Sequence, residues 1–227
     1  MIKYNIYPSL LDAYSWYLKN ERPGALKELL DKINRVETEF PEAAKKGTYF
    51  NELTDSLVNT GIWPAGSVVK SDAVHYKGFD YPVEIVERFV DELAGSITQA
   101  FVKGVIDTKY GLVELYGYTD NILGSVVIDQ KTMVKPYEFP KFLHNWQHIV
   151  YPYCLNQDGV QIDRFLYLIT DFESVHDEEY MYNPERDLPR LRERLETVIE
   201  FLEIMKPNIT DAKIFNYRYH PKIQSAA

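Results

Sequence analysis

The stretch Ser125-Val-Val-Ile-Asp-Gln-Lys-Thr132 places two charged residues in a segment that otherwise has the composition of a buried strand. Residues 126–128 are β-branched, and β-branched side chains favour a pleated, packed surface. Because side chains alternate between the faces of a strand, Asp129 and Lys131 share one face and Gln130 lies on the other. An unpaired charge in a core costs on the order of several kcal/mol. The stretch therefore predicts a compensating partner for the Asp129 carboxylate.

Two kinds of partner fit this spacing. Asp129 and Lys131 could form an ordinary salt bridge at a strand end, since structural ion pairs have the same pattern. Alternatively, a divalent cation could bind Asp129 together with Asp120, which lies upstream in Gly117-Tyr-Thr-Asp-Asn-Ile122, with Lys131 beside it. The spacing by itself leaves both possibilities open.

Three motifs in chain order resemble the RecB-like branch of the PD-(D/E)xK nuclease superfamily. They are Gly117-Tyr-Thr-Asp120, Ile128-Asp-Gln-Lys-Thr132 and Gln147-His-Ile-Val-Tyr151. Two N-terminal segments are also similar to that branch. Ser9-Leu-Leu-Asp-Ala-Tyr14 resembles its opening serine-led helix, and Lys46-Gly-Thr-Tyr-Phe-Asn-Glu-Leu53 resembles its Gly-Thr-x-x-His-Glu helix start. No single motif is specific, and the resemblance depends on all five occurring in this order.

The resemblance implies an α/β fold of the restriction-endonuclease type, with a mixed β-sheet core flanked by helices and a helical N-terminal part. It implies a Mg²⁺- or Mn²⁺-dependent deoxyribonuclease, an exonuclease of phage type, whose partner is DNA. Some relatives form rings around the duplex, so a homo-oligomer is left open, as is a recombination or replication protein as a partner. The alternative is a weakened or inactive nuclease-fold protein that binds DNA or another protein.

Each motif also implies a role for particular side chains. Asp120 and Asp129 are the expected metal ligands, and the backbone carbonyl of Gln130 is a further one. Lys131 would either orient and deprotonate the attacking water or stabilise the charge of the transition state. Gln147 and Tyr151 are four residues apart and share one helix face. In the family this pair faces the active site. The alternative is that the pair consists of a solvated glutamine and a core tyrosine.

One position departs from the pattern of the family. Asn51 stands where many relatives have a metal-binding histidine, and an asparagine offers only a neutral carbonyl oxygen. Glu52 could supply the missing ligand to a second, weaker metal, the site could prefer Mg²⁺, or activity could be reduced. Many relatives also bind an iron–sulfur cluster through cysteines. Cys154 is the only cysteine of this chain, which excludes such a cluster.

Composition limits the remaining possibilities. The length of 227 residues predicts one domain, residues 1–227. A single cysteine, an N-terminus without the apolar run of a signal peptide, and no stretch of about 18 apolar residues predict a cytoplasmic protein outside membranes. The net charge of −9 argues mildly against binding nucleic acid, although only the charge of the local face matters. The 18 tyrosines are spread through the chain, so a stacking surface for single strands is only weakly indicated.

The hydrophobic periodicity predicts helices at residues 9–19, 25–36, 48–59, 83–93, 138–155 and 188–205. It predicts strands at residues 98–107, 112–119, 125–132 and 162–170, with short strands at 179–182 and 214–217. Residues 60–82 are rich in Gly, Pro and aromatic residues and are expected to form a loop with at most a short strand. Ser9 is expected to cap the first helix, with Asp12 completing a capping box.

Overall fold

A computed structural model describes residues 2–37, 39 and 41–215. The helices in these residues are α1 (Pro8–Lys19), α2 (Ala25–Ile33), α3 (Glu42–Thr60), α4 (Val83–Leu93), α5 (Gln147–Gln157) and α6 (Pro184–Met205), followed by a 3₁₀ turn at Lys206–Asn208. The strands are β1 (Ile2–Ile6), β2 (Val68–Val69), β3 (Ala73–Tyr76), β4 (Phe79–Pro82), β5 (Ile97–Thr108), β6 (Gly111–Leu123), β7 (Val126–Thr132), β8 (Arg164–Thr170) and β9 (Val175–Met181).

The main sheet has the strand order β1-β6-β7-β8-β9, and β5 also pairs with β6. The β5–β6, β6–β7 and β8–β9 pairs are antiparallel, whereas β1–β6 and β7–β8 are parallel. A second, antiparallel sheet consists of β2, β3 and β4. The predicted α/β class, a mixed sheet flanked by helices, is therefore confirmed.

Strand β6 has different neighbours along its length. One edge is paired with β5. The other edge pairs with β1 at residues 112–115 and with β7 at residues 121–123. Residues 116–120 lie between these two partners. The sheet therefore forks where β7 separates from β6, and this fork is where the predicted acidic residues lie.

Both faces of β7 and β8 are covered. Val127, Phe165 and Ile169 belong to the larger hydrophobic cluster, which includes residues of α1, α5 and α6. Ile128 and Leu168 belong to a second cluster with residues of α3, α4 and the small sheet. A strand that is buried on both faces has a nearly continuous apolar sequence, which explains the run at residues 126–128.

The helix predicted at residues 138–155 begins only at Gln147. The preceding segment is held by the buried carboxylate of Glu178, which accepts hydrogen bonds from the backbone N–H groups of Lys141 (2.9 Å) and Phe142 (2.8 Å). These N–H groups bind a distant carboxylate instead of helical carbonyls, so the local apolar pattern does not continue as a helix. The prediction was wrong here because a long-range partner competes for the backbone.

Other boundaries also differ from the predictions. Helix α3 begins at Glu42 rather than at residue 48, and the hydroxyl of Thr48 donates to Ala44 O inside the helix instead of capping it. Helix α1 begins at Pro8, and Ser9 makes no cap, because proline is favoured in a first helical turn. Most of the remaining ends differ by a few residues.

Three predictions concern segments that tertiary pairing decides. Residues 60–82, expected to be mostly loop, contain the three strands of the small sheet, and β1 was not predicted at all. The short strand expected at 179–182 belongs to the longer β9. Of the strand predicted at residues 214–217, Phe215 forms an isolated bridge with Tyr4, and residues 216–217 lie outside the described residues. Among the helices of the described segments, none is both long and apolar enough to cross a membrane.

Candidate active site

The two acidic residues of the first motifs meet at the fork of the main sheet. Asn121 pairs with Ile128, so Asp120 and Asp129 occupy the next opposed positions, immediately beyond the last paired residues. The backbone N–H of Gln130 donates to Asp120 Oδ2 over 2.9 Å. A side chain of one strand therefore takes the place of the ladder hydrogen bond where the two backbones separate.

A break in the alternation of β6 places Asp120 on the same face as Asp129. Leu115 and Ile122 both belong to the larger hydrophobic cluster, although they are seven positions apart in the strand. Strict alternation would put them on opposite faces. Gln99, which lies opposite Asp120 in the register of β5 and β6, has a φ of 51°, so the ribbon is distorted at this point. If side chains alternated strictly from Leu115 onward, the side chain of Asp120 would point to the face of the sheet opposite to that of Asp129.

Lys131 forms an ion pair with the second carboxylate. Its Nζ contacts Asp129 Oδ2 and lies 5.7 Å from the centre of the Tyr167 ring. Burial disfavours the charge of the amine, but the carboxylates of Asp129 and Asp120 outweigh burial and raise the pKa of Lys131 above its ordinary value. Lys131 is therefore a fixed cation at the fork.

The charge of Asp120 is poorly compensated in comparison. Loss of solvent and the neighbouring negative charge of Asp129 raise the pKa of Asp120 from 3.8 to about 7. The attraction of Lys131 and the hydrogen bond from Gln130 N–H act in the opposite direction and do not cancel this rise. One lysine for two carboxylates leaves the fork short of positive charge near neutral pH.

Helix α5 supplies the second pair of predicted residues. Gln147 Nε2 donates to Asp129 Oδ1 over 2.7 Å, and Asp129 is only 2% exposed. Tyr151 is buried, and a Cβ added to Gly117 would lie 2.8 Å from its Cε1 atom. Burial, followed by the charge of Asp129, raises the pKa of Tyr151. The structure therefore brings Gln147 and Tyr151 to the acidic face of the sheet, and Gly117 leaves room for the tyrosine ring.

Asn51 lines a cavity of about 500 Å³ next to the fork, together with Lys46, Gln130, Lys131 and Thr132. The Oδ1 atom of Asn51 is buried and accepts no hydrogen bond. Helix α3 approaches β7 closely here, because a Cβ on Gly47 would overlap the hydroxyl of Thr132. The glycine in the Lys46-Gly-Thr motif thus has a packing role that brings Asn51 to the cavity.

Gln130 contributes to the fork through its backbone. Its side chain lies on the opposite face, where Oε1 accepts from Thr54 Oγ1 over 2.7 Å and Nε2 donates to Asn121 Oδ1 over 3.0 Å and to Asp55 Oδ1 over 3.2 Å. These polar contacts join α3, β6 and β7 behind the carboxylates. The residue therefore anchors the rear of the fork while its N–H group binds Asp120.

Glu52 is the predicted ligand that the structure does not bring to the fork. Its Oε2 atom accepts from the hydroxyl of Tyr76 over 3.1 Å and lies 2.5 Å from Lys77 Nζ, both in the small-sheet hairpin. It does not line the cavity that Asn51 lines. The helix presents Asn51 to the cavity, and the next residue along the helix turns to a different neighbour.

Sequence reasoning missed one acidic residue near the site. Asp12 on α1 accepts a hydrogen bond from Trp146 N over 2.8 Å and interacts electrostatically with Lys131 and Asp129. Burial, opposed mainly by the Trp146 N–H, raises its pKa to about 6. The available signal was an acidic residue on a largely apolar helix. Because the capping-box pattern already gave Asp12 a local role, no role in the site was inferred for it.

The oxygen atoms at the fork fit a hard divalent cation. In the part of the chain that the structure describes, no three His, Cys, Asp or Glu side chains form a ready metal cage. However, Asp129 Oδ2, apart from its ion pair with Lys131, and Asn51 Oδ1 are buried oxygens that accept no hydrogen bond. Mg²⁺ is usually held by one or two carboxylates and completes its shell with water. Asp120 and Asp129 match the requirement for carboxylates, whereas Asn51 lines the neighbouring cavity, which Lys131 lines but neither aspartate does.

Comparison with known proteins adds information about the fold only. No family model and no curated protein matches this sequence. The solved structure "Crystal structure of SSO0001" is similar to this chain with a TM-score of 0.51 and 12% sequence identity. The match covers 88% of this chain and 77% of that chain. At this identity the likeness concerns the arrangement of the backbone and not the chemistry.

Proposed function

We propose that this chain is a metal-dependent nuclease that hydrolyses phosphodiester bonds in DNA. The observation that carries the proposal is the meeting of Asp120, Asp129 and Lys131 at the fork, where Lys131 also lines a cavity of about 500 Å³. A purely structural ion pair needs one acid and one base. The second carboxylate, with its pKa raised to about 7, is a cost that a bound cation would remove.

The side chains at the fork would divide the work as follows. A bound Mg²⁺ or Mn²⁺ would polarise the phosphate and lower the pKa of a coordinated water. Lys131 is held as a cation by Asp129 and would stabilise negative charge that develops on the phosphate oxygens. Of the two roles open to this lysine, its raised pKa favours charge stabilisation over proton abstraction. Gln147 keeps Asp129 in one orientation through its 2.7 Å hydrogen bond.

A protein of the same fold that binds DNA or protein without cleavage is the second candidate. Two observations favour it: Asn51 is neutral where many relatives of the resembled family have a histidine, and Glu52 is paired with Lys77. The presence of Asp120 as a second carboxylate beside the Asp129–Lys131 pair argues against it, because a site without catalytic use has no need of this additional buried charge.

Cleavage of linear DNA in the presence of Mn²⁺ tests the proposal directly. We expect Asp129→Asn and Lys131→Met each to reduce cleavage by about a thousandfold or more, as losses of charged groups in the transition state do. Asp158→Asn, at an exposed position, is the control and should cleave like the parent. If the parent is inactive, or if both site variants cleave normally, the assignment to a nuclease is wrong.

Metal binding can be measured without turnover. At a metal concentration about 100-fold above its dissociation constant, stability should increase by about 2.7 kcal/mol, or roughly 5–10 °C in melting temperature for a chain of this size. Asp120→Asn should abolish most of this shift because it removes one anionic ligand. A shift of equal size in the variant would show that the metal binds elsewhere.

A further inference from the structure

Phe101 and Tyr118 form an exposed aromatic pair on the hairpin that carries the fork. They are opposite each other in the β5–β6 register, and their ring centres are 5.2 Å apart. Phe101 is 54% exposed and Tyr118 is 61% exposed. Two large rings that contact each other while staying exposed have the properties of a contact surface, because isolated exposed hydrophobic residues need no explanation but clusters do.

A groove runs from Tyr118 of this pair to Tyr151 of the candidate active site. Tyr118 lines a cavity of about 390 Å³ together with Tyr7, Gly117 and Tyr151. Tyr151 packs on Gly117, three residues before Asp120 in the same strand. Gly117 and Tyr118 point to opposite faces of β6, so this groove lies at the edge of β6 in the gap between β1 and β7. A chain lying on the aromatic pair could extend through this gap to the fork.

Cationic side chains accompany the rings. A second cavity of about 480 Å³ is lined by Phe101, Tyr118, Arg35 and Lys213, with Glu114 as its acidic member. The Arg35 guanidinium is held in place by Asp211 over 2.8 Å and by the Tyr116 hydroxyl over 3.1 Å. The surface thus combines flat aromatic faces with two cationic side chains, Arg35 and Lys213, whose charge is balanced by Asp211 and Glu114.

We propose that the surface formed by Phe101 and Tyr118 binds the unpaired bases of a single-stranded DNA segment whose end enters the fork. This inference rests on the proposed nuclease function and specifies its substrate. Ring faces stack with nucleobases of any sequence, and neighbouring cations bind the phosphates. A duplex stacks its bases on one another and cannot offer their faces to two rings on a sheet surface. The groove therefore fits an unpaired strand.

Binding can be separated from cleavage by removing the metal. The affinity of a short fluorescent oligothymidylate is measured by anisotropy in EDTA for the parent and for the double variant Phe101→Ala/Tyr118→Ala. Because stacking on the two rings is lost, we expect binding to weaken at least about tenfold. Tyr118→Phe keeps the ring and should bind like the parent. Ile204→Ala, which removes a 73% exposed apolar side chain on α6, is the matched control.

A small chromogenic phosphodiester without bases distinguishes failure of this inference from failure of the proposed function. We expect the double variant to hydrolyse that compound at the parental rate with Mn²⁺ while cleaving single strands poorly. If the variant binds and cleaves single strands like the parent, or if the parent binds duplex better than single strands, the inference is wrong and the nuclease proposal stands. If neither substrate is hydrolysed but oligothymidylate binding still depends on the two rings, the proposed function fails and the binding surface remains.

Discussion

Replacing Asp120 with asparagine should change how the stability of the protein depends on pH. Loss of solvent and the charge of Asp129 raise the pKa of Asp120 in the folded chain from 3.8 to about 7. Between about pH 4 and 7 the folded state then binds more protons at this group than the unfolded state does. Stability at this group is therefore highest below about pH 4 and decreases as the pH rises toward 7.

The size of the effect follows from the same rise in pKa. A difference of one in pKa corresponds to about 1.4 kcal/mol, so a rise from 3.8 to about 7 corresponds to roughly 4 kcal/mol. This penalty is a net value that already includes the attraction between Asp120 and Lys131, so it is the upper bound of what the variant gains. Asparagine keeps an oxygen that can accept the hydrogen bond from Gln130 N–H. Without metal, we expect Asp120→Asn to be more stable than the parent at about pH 8 by roughly 2–4 kcal/mol.

Urea unfolding in EDTA between about pH 5 and 8, followed by circular dichroism, measures this difference. The exposed Asp158→Asn variant should keep the pH profile of the parent. Added Mn²⁺ should narrow the difference, by up to about 2.7 kcal/mol at 100-fold its dissociation constant, because the parent has two anionic ligands and Asp120→Asn has one. A variant that is less stable than the parent in EDTA at the upper end of this range would refute the idea that Asp120 is an under-compensated charge.

Three further predictions concern packing, a buried carboxylate and the thiol. Gly47→Ala should destabilise the protein by about 1–3 kcal/mol in urea unfolding, and a Thr132→Ala background, which removes the overlapping hydroxyl, should make the same change neutral or stabilising. Although burial opposes its charge, hydrogen bonds from Tyr180 and from backbone N–H groups lower the pKa of Glu178. Glu178→Gln should therefore cost about 2–3 kcal/mol near neutral pH, and the loss should shrink as the pH falls from the ordinary pKa of a glutamate through the lowered pKa of Glu178 in the folded chain. Burial raises the pKa of Cys154 to about 12, so Ellman's reagent should modify the native thiol far more slowly than the thiol of the urea-unfolded chain.

Hydrophobic periodicity predicted the helices and strands in which the local sequence pattern matches the tertiary environment. The β-branched run and the period-two pattern located β5, β6, β7 and β8 to within a few residues, except at the C-terminal end of β6. The helix of residues 83–93 was predicted with its bounds because Pro82 precedes it and an apolar stripe follows it. The helix before Gln147 was predicted wrongly, since Glu178 binds backbone groups that a local pattern assigns to helical hydrogen bonds.

The candidate site was predictable in part. Asp129 and Lys131 share a face because side chains alternate along β7, and this alternation follows from its seven consecutive residues alone. Glu52 could not be placed, because Tyr76 and Lys77 are more than twenty residues away and compete for its carboxylate. Asp12 was missed because its partner Trp146 is 134 residues away in sequence.

The sequence alone determined which residues alternate on β7, because alternation depends only on adjacent residues of the strand. Only the tertiary structure decided that Asp120 faces Asp129. That orientation needs the break in alternation opposite Gln99 and the separation of β7 from β6. The break and the separation both occur where the pairing partner along one edge of β6 changes from β1 to β7. These two strands are distant from each other in the chain. Long-range strand pairing depends on the packing of the whole core, so it cannot be predicted from any window of neighbouring residues.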